Sequence, residues 1–156
     1  MAVGAAEHGA SVVCLDIDET AAQRVAARIG RSASSGQLDI RNGRGVSSAL
    51  ERVVADSGRL DVVVCTPSIN IRKPILELTS DEVDCILDLN LKGAFNVVRA
   101  AGRLMSEAGQ PDASSCLCPY VRRSSNRASL SDAMTKPAPS NWCERLPPSS
   151  DPRVFA

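Results

Sequence analysis

At 156 residues, of which 44% are hydrophobic, the chain is long enough for one domain with a core of its own. Eighteen basic side chains balance 18 acidic ones, so nothing in the charge favours nucleic acid or an anionic membrane as a partner. No apolar run approaches the roughly 18–20 residues that span a bilayer, and a membrane location is not expected.

Met1 to His8 is short and alanine-rich, like the tail end of a helix. It carries Glu7 and His8 where a secretory signal would be basic and then apolar. Ser11 to Leu15 is continuously apolar after the serine, the mark of a strand buried on both faces of a parallel sheet. From Glu19 to Ile29, Ala22, Val25, Ala26 and Ile29 recur at helical spacing, with Asp18 placed to cap the helix. Gln37-Leu38-Asp39-Ile40 gives a weaker strand signal. Val46, Ala49, Leu50, Val53 and Val54 then form one stripe of an amphipathic helix from Gly43 to Ser57. Asp61-Val62-Val63-Val64-Cys65 is a second apolar strand, and Pro67 and Pro74 mark the loop after it. Thr79 and Glu82 make a capping box that opens a long helix from about Ser80 to Glu107. Its apolar positions (Val83, Ile86, Leu87, Leu91, Ala94, Val97, Val98, Ala101 and Met105) are broader than one stripe, enough to face both a sheet and a partner subunit.

From Pro111 onward the composition changes. Seven of the nine prolines and much of the serine lie there, and the apolar residues follow no period. The chain therefore divides into an ordered part, residues 1–110, and an irregular tail, residues 111–156. Strand and helix alternate over the first part with short connections. The fold class expected is α/β, a Rossmann-like doubly wound parallel sheet with right-handed crossovers. The six cysteines show no framework spacing, Cys116-Leu117-Cys118 is too tight for a zinc knuckle, and His8 is the sole histidine. No metal site is expected, and reduced thiols suit the cytoplasm.

Asp16, at the end of the first apolar strand, has two readings. It can accept both hydroxyls of an adenosine ribose and repel the 2′-phosphate that distinguishes NADP from NAD. It can also be an acid favoured at a helix N-terminus, a role that Asp18 already fills. A rival uses the same residues. Val13 to Thr20 is similar to the strand and Asp-x-Asp-x-Thr motif of haloacid-dehalogenase-type phosphatases, which implies Asp16 as nucleophile, Asp18 as general acid and a bound Mg²⁺. Against it, a helical stripe starts directly after Thr20, and no later strand ends in paired acids.

Asn90-Leu91-Lys92-Gly93-Ala94-Phe95-Asn96 resembles the Asn-x-x-Gly segment of short-chain dehydrogenases. The order of the Gly58-Arg59-Leu60-Asp61 lead-in, the Asp61 to Val64 strand, Lys73-Pro74-Ile75 and the capped helix also matches that family. The resemblance implies an NAD-dependent oxidoreductase passing hydride between the nicotinamide and a small alcohol or ketone, assembled as a homo-oligomer through the Ser80–Glu107 helix. It assigns Asn90 to the catalytic group through a bound water. Asp16 and Ile17 go to the ribose and Asp39 and Ile40 to the adenine. Cys65, Thr66 and Pro67 take the place of the family's Asn-Asn-Ala-Gly turn. The glycine-rich phosphate loop and the first strand are expected upstream of Met1, so the sheet is expected to be incomplete and NAD to be held poorly.

After Gln110 the family continues with a buried strand, a catalytic serine and Tyr-x-x-x-Lys. Here Ala133-Met134-Thr135-Lys136 is similar to the end of that motif, with Lys136 at the lysine, but Asp132 stands at the tyrosine. A carboxylate there has the wrong acid strength to protonate a carbonyl oxygen. Read one base out of phase, Asn141-Trp142-Cys143-Glu144 must give Leu-Val-Arg, barring a stop. With its neighbours this resembles the family's next helix. The expectation is an out-of-frame tail and a chain inactive by itself. Two alternatives stay open: a genuine disordered tail, and a non-catalytic nucleotide-binding or assembly fragment.

Overall fold

The structure, a computed structural model, describes residues 1–108 and the short strand 154–155. Its elements are α1 (Ala2–Glu7), β1 (Ser11–Asp16), α2 (Glu19–Ile29), β2 (Ala33–Gln37), α3 (Gly43–Ser57), a 3₁₀ turn (Ile75–Glu77), α4 (Ser80–Leu87), a π-helical turn (Asp88–Gly93), α5 (Ala94–Glu107) and β3 (Val154–Phe155). The strands form one parallel sheet in the order β2-β1-β3. The described residues thus hold a small Rossmann-like sheet, as an incomplete doubly wound fold requires.

Local chemistry sets the helix ends. Asp18 Oδ1 accepts the amides of Thr20 and Ala21 at 2.9 and 3.2 Å, satisfying donors that the first turn of α2 leaves unpaired. Asn42 does the same for Gly45 at the start of α3. That helix stops at Gly58, whose φ of 78° puts it in the left-handed region that glycine enters without penalty. At α4 the expected capping box is complete, with Thr79 Oγ1 accepting the Glu82 amide and Glu82 Oε2 accepting the Thr79 amide.

Two apolar clusters lie on opposite faces of the sheet. One joins Val46, Leu50 and Val53 of α3 to Val97, Ala100, Ala101 and Met105 of α5, with Ile40, Leu60, Val63 and Cys65; Val13 packs against it. The other centres on Ala10, Val12 and Val62, with Ala2, Ala5 and Ala6 of α1, Ile29 of α2, Ala33 and Val64 packed around it. The alternation of Val12 and Val13, and of Val62 and Val63, between clusters is the period-two signature of extended chain in the plane of a sheet. Together they give three layers, helix on sheet on helix.

The structure departs from the sequence expectations in three places. The second strand is Ala33–Gln37 rather than Gln37 to Ile40; its residues alternate only weakly in polarity, and its pairing with β1 rather than its own hydrophobicity makes it a strand. Residues 61–65 are extended and mostly buried, but only Val62 takes part in a bridge. Val154–Phe155, in the tail, pairs as a two-residue strand with the start of β1. In α2, Val25 is 40% exposed although it lies at helical spacing with the buried Ala22 and Ala26.

Candidate functional site

Parallel strands expose their carboxyl ends on one side, where open α/β sheets bind ligands. Asp16 and Gln37 are register partners at the ends of β1 and β2, and the Leu38 amide donates to the Asp16 carbonyl at 2.8 Å, so the two chain exits leave side by side. Gln37 Nε2 donates to the Ile17 carbonyl at 3.0 Å and ties the exits together. Asp16 is exposed. Its Oδ1 accepts the Asp18 amide at 3.0 Å, which fixes the carboxylate, and no hydrogen bond among the described residues uses Oδ2. Ile17 beside it is 55% exposed, an apolar surface at the mouth of the same edge.

Asp39 follows two residues after β2. Arg41 grips it through Nε, at 2.9 and 3.1 Å from the two carboxylate oxygens, and through a terminal nitrogen at 2.7 Å; the Arg41 amide adds a fourth bond at 3.0 Å. The guanidinium hydrogen bonds hold the Asp39 carboxyl below the usual carboxylate range. Ile40 turns inward and is 6% exposed, and Cys65 is 8% exposed. Both side chains belong to the core, which leaves only their backbone to meet a ligand. Burial raises the pKa of the Cys65 thiol. Thr66 and Pro67, just beyond Cys65, are exposed at the end of the 61–65 segment.

Asn90 sits in the π-helical turn. Its Oδ1 accepts the Ile69 amide at 2.9 Å and its Nδ2 donates to the Ile69 carbonyl at 2.8 Å, so one side-chain amide pairs with both backbone groups of a loop residue. This pins the loop after Pro67 to the long helix. Such π turns recur at functional sites because the extra residue redirects side chains on a helix. Lys92 Nζ reaches back to Asp88 at 2.7 Å across the turn. Lys73 pairs with Glu82 and anchors the other end of the loop on the capping box.

Asn96 is a positioning residue that sequence reasoning passed over. From α5 its Nδ2 donates to the carbonyls of Ile40 and Arg41 at 3.0 and 3.3 Å, holding the loop that carries Asp39. The available signal was an amide on the inward side of an apolar helix, within the Asn-Leu-Lys-Gly-Ala-Phe-Asn run. Gly93 has a structural task in the same place: a Cβ there would lie 2.8 Å from Cγ1 and Cδ1 of Ile40. The structure thus gathers Asp16, Ile17 and Asp39 at one edge, with Thr66 and Pro67 at the end of an in-plane segment and Asn90 behind the loop they enter. Lys136 lies outside the described residues. Asp18, the second acid of the phosphatase reading, is engaged as the α2 cap. No group of three or more potential metal ligands occurs among the described residues.

A family model described as enoyl-(acyl carrier protein) reductase matches residues 1–121. The chain belongs to the short-chain dehydrogenase/reductase family. Relatives in that family include the D-threitol dehydrogenase of Mycolicibacterium smegmatis, 33% identical over 107 residues that make up 67% of this chain and 41% of that protein. Short-chain dehydrogenase reductase 3b of Arabidopsis thaliana is 35% identical over 109 residues, covering 66% of this chain and again 41% of the relative. Among solved structures, 3-ketoacyl-(acyl-carrier-protein) reductase from Brucella melitensis, complexed with NADH, superposes with a TM-score of 0.63 at 30% identity, over 67% of this chain and 43% of that one. A short-chain type dehydrogenase/reductase from Mycobacterium marinum gives a TM-score of 0.67 at 28% identity, over 70% and 45% of the two chains. The chain therefore spans less than half the length of the short-chain dehydrogenase/reductase relatives it matches.

Proposed function

We propose that this chain carries the adenosine-reading half of an NAD-preferring short-chain oxidoreductase and does not by itself turn over an alcohol or ketone. The observation that carries the first part is the Asp16 carboxylate, fixed by the Asp18 amide at the carboxyl edge of β1 with its second oxygen uncommitted among the described residues. Two ribose hydroxyls are matched donors for such an acceptor, and a 2′-phosphate is repelled by its charge. Asp39 and the backbone of Ile40, held by Arg41 and Asn96, take the adenine side, and Cys65, Thr66 and Pro67 line the exit of the in-plane segment. A bound nicotinamide dinucleotide supplies the hydride acceptor in this chemistry.

Asn90 holds the loop that faces the reacting end. The proton-transferring tyrosine of the resemblance has Asp132 in its place, and Lys136 alone cannot do its work. The proposed division is residues 1–110 as the nucleotide-half scaffold and 111–156 as a tail read out of frame. In an intact relative the substrate is a small alcohol or ketone. No helix among the described residues is long and apolar enough to cross a membrane, and the cytoplasm is the proposed location.

Assembly through the long helix is part of the same proposal. Leu91, Phe95 and Val98 follow one another at i, i+4 and i+7 and are 54%, 58% and 45% exposed, an apolar stripe facing away from the core. A second copy presenting the same stripe would cover it by twofold symmetry.

The test is NADH formation from NAD and a panel of secondary alcohols. The expected result is a rate indistinguishable from that without protein. Turnover that disappears in Asn90→Ala would overturn the inactive half of the proposal.

A further inference from the structure

Asn96 grips two consecutive peptide units of the loop after β2. Its Nδ2 donates to the Ile40 carbonyl at 3.0 Å and to the Arg41 carbonyl at 3.3 Å. A trans peptide is planar, so fixing its carbonyl also fixes the N–H on its opposite side. The N–H that shares a plane with the Ile40 carbonyl is that of Arg41, and it donates to Asp39 Oδ1 at 3.0 Å. The N–H that shares a plane with the Arg41 carbonyl is that of Asn42, and it donates to the Asp39 carbonyl at 3.0 Å. Both planes held by Asn96 therefore return to Asp39, one to its side chain and one to its main chain.

Two glycines make room for this arrangement. A Cβ at Gly43 would stand 3.1 Å from Asn96 Oδ1, and one at Gly93 would stand 2.8 Å from the Ile40 side chain. The Arg41 guanidinium closes on both oxygens of Asp39. With its amide, Arg41 supplies three N–H hydrogens to the carboxylate. An ionised carboxylate has about four acceptor sites, so one stays open to a donor from outside.

We propose that Asn96 is a positioning residue for base recognition: through these two peptide planes it aims the remaining acceptor of Asp39, so that the chain takes a 6-aminopurine dinucleotide in preference to its 6-oxopurine analogue. The inference rests on the adenine-side role of Asp39 given above, and adds a selectivity and its source on α5. The exocyclic amino group of adenine donates to a carboxylate. The keto oxygen of hypoxanthine at the same position is a second acceptor, and two facing acceptors repel. A carboxylate free to turn away from that oxygen would lose much of the distinction. Asp16 is held separately, by the Asp18 amide, so the ribose preference does not depend on Asn96.

The test needs no turnover. Binding of NAD, NADP and nicotinamide hypoxanthine dinucleotide is followed by ligand-observed NMR in the intact chain, Asn96→Leu and Asn96→Asp, near-isosteric replacements that remove the donor. The intact chain should hold NAD about tenfold more tightly than the hypoxanthine analogue, the lower end of the worth of a charged hydrogen bond. Both variants should lose most of that ratio and keep the ratio of NAD to NADP. A merely structural role would weaken all three dinucleotides together and leave both ratios unmoved, and that result would overturn the proposal. No base preference in the intact chain, with NAD still preferred to NADP, would overturn it and spare the ribose reading. Binding of no dinucleotide would overturn both. Amide exchange without ligand reads the relay itself: Arg41 and Asn42 should exchange about tenfold faster in Asn96→Leu, and Leu38, bonded to the Asp16 carbonyl, far less. Unchanged exchange at Arg41 and Asn42 would also overturn the proposal.

Discussion

Gly93→Ala sets two opposed effects against each other. Gly93 is buried at the junction of the π turn and α5, with helical backbone angles of −60° and −49°, so alanine meets no backbone strain there. Helix propensity alone would stabilise the substitution by about 1 kcal/mol. The new Cβ would, however, stand 2.8 Å from both Cγ1 and Cδ1 of Ile40, a side chain stiff at its first torsion and 6% exposed within the main cluster. Overpacking of this kind costs about 1–3 kcal/mol. The net expectation is a loss of roughly 0–2 kcal/mol. The sharper expectation is a change of sign. In an Ile40→Ala background the obstructing atoms are gone, and Gly93→Ala should stabilise by about 1 kcal/mol, its propensity gain alone. The cycle would be read by urea unfolding followed by far-ultraviolet circular dichroism. A stabilising osmolyte, held constant, would keep the Ile40→Ala forms folded at the start. Coupling between the two sites below about 0.5 kcal/mol would refute the contact between Gly93 and Ile40.

The Lys73 and Thr79 contacts lower the pKa of Glu82 from its ordinary 4.5, the side-chain bond from Lys73 contributing most. A depressed folded pKa adds stability above the unfolded value that is lost as pH falls through the folded one. Stability measured by urea midpoints should therefore decline on acidification below about pH 4.5, and less steeply in Lys73→Met. Thiol alkylation should rank the three described cysteines by exposure. Cys85 is exposed and should react first, Cys14 next, and Cys65, buried and raised in pKa, last. Fast modification of Cys65 in folded protein, seen by peptide mass mapping, would contradict its place in the core.

The helices were legible because their signals are local. The stripes at Glu19–Ile29 and Gly43–Ser57 end at an Asp or Asn cap and a glycine, and the structure places those helices on the same residues. The capping box at Thr79 was equally plain. Strand pairing was harder to read because it is a relation between distant segments. Ala33–Gln37 has no strand pattern and becomes a strand against β1, while the strongly apolar 61–65 segment lacks an extended ladder among the described residues. The site showed the same divide. Asp16 announced itself as an acid ending a buried strand. By contrast, the burial of Ile40 and Cys65 depends on where α3 and α5 pack. The clamp of Asn96 on the Ile40 and Arg41 carbonyls spans more than fifty residues of sequence, and its local trace, an amide on the inward side of an apolar helix, named no partner. Nor did the Ile69 pairing reveal itself beforehand as the occupation of the Asn90 side chain.

The central claim is that Asp16 reads the ribose of a bound dinucleotide. It is tested most directly by titrating NAD and NADP separately into this chain and into Asp16→Asn, with binding followed by ligand-observed NMR. A hydrogen bond to a charged acceptor is worth about 1.5–3 kcal/mol, and the exposure of Asp16 places it at the lower end. NAD should bind about tenfold more tightly than NADP, and Asp16→Asn should remove most of that preference. Equal binding of the two nucleotides, a ratio unmoved by Asp16→Asn, or no binding of either would contradict the account.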